Sequence, residues 1–253
     1  MLRTWRSRTL IPTDDRIAWL AARKFYLTAS DVPAVLGLDT RSRRSVLRDK
    51  LDPAPRKELH VPMVAAGRHL ERGVFEWWLA DQALPAHVEL DIGLVQSPAY
   101  SWLAATPDAV VDDEPVEIKV SMWSSRPNWH AATRTTKGWP KQFPLPTAIY
   151  REVTSCPVPG PPKDDTPAAL WRGLTRIQLQ EVLPKFGPPE VPLKYWVQLQ
   201  VQMHVLEADH GTIVALQGGT DRYDLVYEIA PDFQTWMFGE LERFRKEWHS
   251  LIP

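Results

Sequence analysis

The chain has almost no cysteine: Cys156 is alone among 253 residues. A single thiol makes no intrachain disulfide and supplies no cysteine-rich metal site, so nothing in the sequence asks for an oxidising compartment. Also missing is any apolar run of the roughly 20 residues that a membrane-spanning helix needs. The opening stretch MLRTWRSRTLIP is basic, yet it has neither the continuous apolar segment nor the small-residue cleavage pattern of a secretory signal. A cytoplasmic setting without membrane contact is the expectation. An excess of one charge is absent too, with 30 basic and 31 acidic residues giving a net charge of -1. No internal repeat is present.

What remains is an ordinary globular composition, 44% hydrophobic and 24% charged, which argues against disorder of the whole chain. The length suits one domain over 1–253 with an elaborated loop region or insertion at 121–194. The balanced charge is unevenly spread. Residues 1–57 are rich in arginine, Glu71 to Glu117 is acidic, and 121–150 carries Arg126, Arg134, Lys137 and Lys141 with no acid. Such polarity suits carboxylates holding a cation in a cleft while basic surfaces receive a polyanion, or else the ordinary sorting of surface charge.

Residues 14–24 form an amphipathic pattern with Asp14 or Asp15 at the helix start. In FYLTASDVPAVLG, Thr28 or Ser30 is the expected cap of a short helix that Gly37 stops. Arg43 to Lys50 reads as another short helix, and prolines between Leu51 and Pro62 mark a loop. A longer helix spans Ala65 to Asp81, with Leu70, Val74, Trp77 and Trp78 as its apolar side and Glu71 on the face shared by Val74 and Phe75. Farther on come a helix from Tyr195 to Ala208, with Gln198 and Gln202 as a neighbouring polar pair, and strands at Gly211–Leu216 and Tyr223–Ile229. A final helix runs from Pro231 or Asp232 toward Trp248. This order implies an α/β core with helical cover.

Chemistry concentrates between Leu103 and Val120, where two strands are joined at DDEP. Alternation in VEIKV puts Glu117 and Lys119 on one face and Val116, Ile118 and Val120 on the other. Asp108, just before the turn, can approach the Glu117–Lys119 face. Hard carboxylate oxygens suit Mg2+ or Mn2+, the ions that support phosphodiester hydrolysis. Asp108 and Glu117 would be direct ligands, the Ile118 carbonyl a further oxygen, and Glu71 another ligand, direct or through water. Lys119 would orient or deprotonate the attacking water, or stabilise phosphate charge. An acid followed by Glu-x-Lys is common, and a solvated hairpin face explains it equally well.

Four segments add context: RKFYLTASDVPAVLG at 23–37, AAGRHLERGVFEWW at 65–78, ATPDAVVDDEPVEIKV at 105–120 and YWVQLQVQMHVLEA at 195–208. In this order they resemble the lambda-exonuclease and YqaJ-like viral recombinase family of the PD-(D/E)xK nuclease superfamily. The resemblance implies a restriction-endonuclease-like core, a mixed central sheet flanked by helices. It implies a metal-dependent exonuclease, 5′-to-3′ on duplex DNA ends, that feeds a single-strand-annealing partner in a bacterial or phage-infected cell. By motif position Glu71, Asp108, Glu117, Lys119 and Gln198 form the catalytic group. Arg23 and Ser30 resemble the pair that contacts phosphate at the DNA end, and Tyr195 a residue lining the site. Well-known members are homo-trimers around DNA.

Each assignment has a plainer rival. Arg23 would be the charged side of a helix, Ser30 a cap, Tyr195 core packing, and Gln198 a partner for a buried polar group. Gln202 stays outside the expected site. Between 121 and 194, PNWHAATRTTKGWPKQFPLPT suggests a lid or DNA-facing insertion and CPVPGPPKDDTP an exposed connector. There His130, Arg126, Arg134 and Lys137 either contact DNA or form a solvated loop. Trp123, Trp129 and Trp139 either stack on bases or close a small core. Rival activities are a restriction-like or structure-specific endonuclease and a nonenzymatic DNA-end-binding recombination protein.

Overall fold

The computed structural model describes residues 4–12, 15–52, 62–82, 85, 87–121 and 191–252. After a 3-10 turn at Thr4–Arg8, the elements run β1 (Thr9–Ile11), α1 (Arg16–Ala22), β2 (Leu27–Thr28), α2 (Val32–Leu36), α3 (Arg43–Leu51) and α4 (Pro62–Ala80). Then come β3 (Val88–Leu90), β4 (Leu94–Gln96), β5 (Leu103–Ala105), β6 (Ala109–Val111), β7 (Glu114–Ser121), α5 (Leu193–Leu206), β8 (His210–Gln217), β9 (Asp221–Glu228) and α6 (Pro231–Ser250). The region 122–190, with the expected lid, connector and tryptophans, lies outside the described residues, as do Asp14 and most of the loop before Pro62.

The larger sheet has the order β3-β6-β7-β8-β9. It is mixed, with β7 and β8 parallel and the other pairs antiparallel. The smaller sheet, β1-β4-β5-β2, pairs β2 parallel to β5. The expected architecture, a mixed sheet between helices, is what the chain adopts.

Alternation explains why the larger sheet is covered twice. Along β8, Ile213 and Ala215 join α2, α5 and α6 in one core, while Val214 and Leu216 join α4 in another. A strand buried on both faces reads as a continuous apolar run. On β7, Val116 and Ile118 pack under Val74, Phe75 and Trp78 of α4. Each such large apolar side chain contributes about 2 kcal/mol when fully buried. Glu117 consequently faces α5. Gly211 permits close packing there, since a Cβ on it would sit 2.9 Å from Leu199 Cδ1.

Several local expectations are corrected. Leu70 and Trp77 are exposed, and the buried face of α4 is Val74, Phe75 and Trp78. The Arg222 guanidinium lies 4.7 Å from the centre of the Trp77 ring, which stays half exposed. Neither Thr28 nor Ser30 caps α2; Asp31 takes the N-cap position with its carboxylate turned inward. Pro33 falls in the first turn, where a missing amide is tolerated. The anticipated first strand of the Leu103–Val120 hairpin is two strands, β5 and β6, in different sheets. Its turn is a two-residue one, with Asp112 and Asp113 both at positive φ, 49° and 73°, as a right-twisting hairpin requires.

Candidate active site

β6 stops pairing with β7 at Ala109 opposite Val116. From Glu117 onward β7 keeps β8 on one side and has no strand on the other among the described residues. An amide left at such an edge needs an acceptor. Asp108 provides it, as Oδ2 accepts from Ile118 N at 2.7 Å. The N–H and C=O of a strand residue point the same way, so the Ile118 carbonyl faces this gap as well.

The gap opens into a cavity of about 530 Å³ lined by Arg23, Ser30, Glu71, Asp108, Glu117, Ile118, Lys119 and Gln198. Glu71 enters from α4 below the sheet and Gln198 from α5 above it. Both helices reach one cavity because the strand between them ends early. Tyr195 is not among its lining residues. Its ring lies instead 5.3 Å from the Lys119 ammonium, a cation–π contact.

Glu117 is buried, 1% exposed. Its Oε1 accepts from Lys119 Nζ and, at 2.5 Å, from Gln198 Nε2. Its Oε2 accepts from Gln202 Nε2. Gln202, outside the expected site, thus belongs to it, and its position one turn beyond Gln198 is the signal the sequence offers. Burial, reinforced by the charges of Glu117 and Glu71, holds the Asp108 carboxyl well above the usual carboxylate range; Lys119 and the Ile118 amide act the other way. Burial alone would depress the Lys119 ammonium, but Glu117 and Asp108 outweigh it and raise its pKa above the ordinary value.

On the opposite wall Arg23 follows α1 and stacks over Trp19, 4.4 Å from the ring centre. Its Nη2 donates to Ser30 Oγ at 2.7 Å and Thr28 Oγ1 at 3.2 Å. The hydroxyl-bearing turn is organised from beneath by Asp31, which is fully buried. Asp31 accepts from Thr28 Oγ1 at 2.8 Å and pairs with Arg41 at 2.7 Å and Lys50 at 2.8 Å. Lys50 also donates to the carbonyls of Arg23 and Tyr26. The Arg23 guanidinium and the Ser30 hydroxyl thus share one wall of the cavity, while the Thr28 hydroxyl spends its proton on Asp31.

The oxygen donors suit a hard divalent cation. Crowded carboxylates, with Asp108 disfavoured in its charged form by its neighbours, are what such an ion relieves. The residues therefore fit Mg2+ or Mn2+. In the present arrangement, however, no three His, Cys, Asp or Glu side chains among the described residues cluster closely enough to hold an ion. Glu117 is engaged instead by three donors.

Asp108 followed by Glu117-x-Lys119, on the open edge of a mixed sheet between helices, defines a core of the PD-(D/E)xK nuclease superfamily. Within it the chain belongs to the YqaJ-like viral recombinase domain family, whose model matches residues 18–153, more than half of the chain. The fold is shared with an alkaline exonuclease (LHK-Exo) from Laribacter hongkongensis at 17% identity, with 92% of each chain covered and a TM-score of 0.55. Its complex with dAMP gives the same identity and coverage and a TM-score of 0.54. A phage related exonuclease from Haemophilus somnus 129PT is 9% identical, with 89% of this chain and 94% of that chain covered and a TM-score of 0.51. Comparison with curated proteins returned no match. Family membership supports a nuclease-type, DNA-processing activity. No helix among the described residues is long and apolar enough to cross a membrane.

Proposed function

We propose that the chain is a metal-dependent deoxyribonuclease that engages linear duplex ends, cuts in the 5′-to-3′ direction and leaves single-stranded DNA for recombination. One observation carries the reading: a single cavity unites Glu71, Asp108, Glu117, Lys119 and Gln198 with the Arg23 and Ser30 wall. Asp108, Glu117 and the Ile118 carbonyl would hold Mg2+ or Mn2+, with Glu71 as a further ligand, direct or through water. The bound ion would supply Lewis-acid polarisation of the phosphate and a nucleophilic water at neutral pH.

The chain's own groups divide the remaining work. Arg23 and Ser30 receive the phosphate of the strand end and set its position. Lys119, whose ammonium Glu117 and Asp108 hold protonated while no ion is bound, would neutralise phosphate charge or, once an ion takes up those carboxylates, orient or deprotonate the attacking water. Tyr195 supports that ammonium through its ring face. Gln198 fixes one oxygen of Glu117. LHK-Exo, which shares the fold, is also solved in complex with dAMP, which supports a nucleotide-sized occupant. Protein that only bound DNA ends would need no acid-and-lysine set of this kind.

In this reading 1–253 is one nuclease domain, elaborated at 121–194. It works in the cytoplasm of a bacterial or phage-infected cell, as a homo-trimer that passes its product to a single-strand-annealing protein. The test uses duplex DNA labelled at either the 5′ or the 3′ end, with closed circles alongside, in Mg2+ and in chelator. Progressive loss from 5′ ends with circles spared is expected, and Lys119→Ala should abolish most of it without unfolding the chain. Nicked circles would favour an endonuclease. Absence of cleavage by folded protein in both Mg2+ and Mn2+ would end the enzyme reading.

A further inference from the structure

Two glutamines on α5, Gln200 and Gln202, are both fully buried, and their hydrogen bonds go to opposite purposes. Gln200 uses its whole amide on the fold: Nε2 donates to Glu228 O at 3.0 Å and Oε1 accepts from Ala230 N at 2.9 Å, tying α5 to the end of β9 and the start of α6. Gln202 hydrogen-bonds no backbone group among the described residues. Its amide donates to Glu117 Oε2, and its own Oε1 is buried with no hydrogen-bond partner among the described residues.

A buried carbonyl oxygen without a donor is destabilising. An apolar side chain at position 202 would avoid that cost, so a fold-only role gives poor reason for a glutamine there. The benefit lies at Glu117. With Oε1 of that carboxylate already taken by Lys119 and Gln198, a donor on Oε2 fixes the remaining rotation of the group.

We infer that Gln202 is a positioning residue that orients the Glu117 carboxylate for cation binding, an inference that rests on the metal-centre reading above. Groups that hydrogen-bond to a metal ligand commonly change affinity about 10- to 100-fold when removed. Gln202→Met keeps the length of the side chain and removes the donor. It also removes the unmatched oxygen, so the two effects on stability oppose one another.

The experiment is calorimetric titration of the metal-stripped full chain with Mn2+ alone, without DNA, accompanied by thermal melts. Gln202→Met and Gln202→Leu should bind Mn2+ at least about tenfold more weakly while melting near the wild-type temperature. Gln200→Met should do the reverse, with lower melting and wild-type Mn2+ affinity. Wild-type affinity in a folded Gln202 variant would overturn the inference while leaving the metal centre intact. Loss of cooperative melting in both Gln202 variants would mark it as a folding residue and overturn it as well. Failure of the wild-type chain to bind Mn2+ would instead remove the metal-centre reading, and this inference with it.

Discussion

Replacing Asp108 by Asn should make the metal-free protein more stable and deprive it of stabilisation by metal. The wild-type carboxyl is buried beside Glu117 and Glu71, and its charged form is disfavoured by all three circumstances. Asparagine keeps the shape, and its Oδ1 can still accept from Ile118 N, the bond that closes the strand edge at 2.7 Å. What disappears is the repulsion, which for carboxylates sharing a cavity at an effective dielectric near 20 is on the order of 1–3 kcal/mol. In a chain of this size each kcal/mol moves the melting temperature by about 2–4 °C. A rise of several degrees in chelator is therefore expected. Wild-type protein at a hundredfold excess of Mg2+ over its dissociation constant should gain about 2.7 kcal/mol, and the variant much less. Differential scanning calorimetry with and without Mg2+ reads both effects. A variant that melts below wild type in chelator, or gains as much from Mg2+, would refute the reasoning.

Other parts of the molecule give equally direct tests. Arg23→Ala removes a charged donor from the Ser30 and Thr28 wall, so KM for 5′-phosphorylated duplex should rise by roughly 10-fold or more; equal losses on 5′-hydroxyl ends would reject a role in end-phosphate recognition. Lys50→Met strips Asp31 of its buried partner while Arg41 remains, and denaturant melts should show a loss of about 3 kcal/mol; less than 1 kcal/mol would mean that Arg41 alone neutralises Asp31. Burial, with the Arg8 charge adding and Glu207 opposing, pushes the His204 imidazole down to about 4, whereas the unfolded side chain takes its proton near pH 6.5. The unfolded state binds more protons between those values, so this contribution to stability is complete above about pH 6.5 and falls away toward pH 4. Melting temperatures of wild type and His204→Gln across that range should converge at the acid end, and parallel curves would count against it.

The extent to which the site was legible differs from residue to residue. Glu117 and Lys119 could be assigned to one face because alternation in a strand is a local property, and the structure puts both on the α5 side. Gly37, at φ 79°, ends α2 as its lack of a Cβ allows. The role of Asp31 was hidden, since its partners Arg41 and Lys50 come from beyond its own helix and no periodicity encodes such a meeting. Leu70 and Trp77 were misassigned because composition marks a face as apolar without saying whether a neighbour covers it. Gln202 was visible as a polar residue one turn from Gln198, but its value depends on a carboxylate 85 positions away.

By itself, then, the sequence determined the main helices, the strands β7, β8 and β9, the order of the four motifs and the family to which they belong, because propensity, capping and periodicity act over a few residues. Tertiary structure alone decided that β6 ends before Glu117, that α4 and α5 therefore reach one cavity from opposite faces of the sheet, and that Asp108 closes the open edge through the Ile118 amide. Those outcomes depend on where one strand stops relative to another and on which buried polar groups then need partners. Such requirements exist only once the chain has packed.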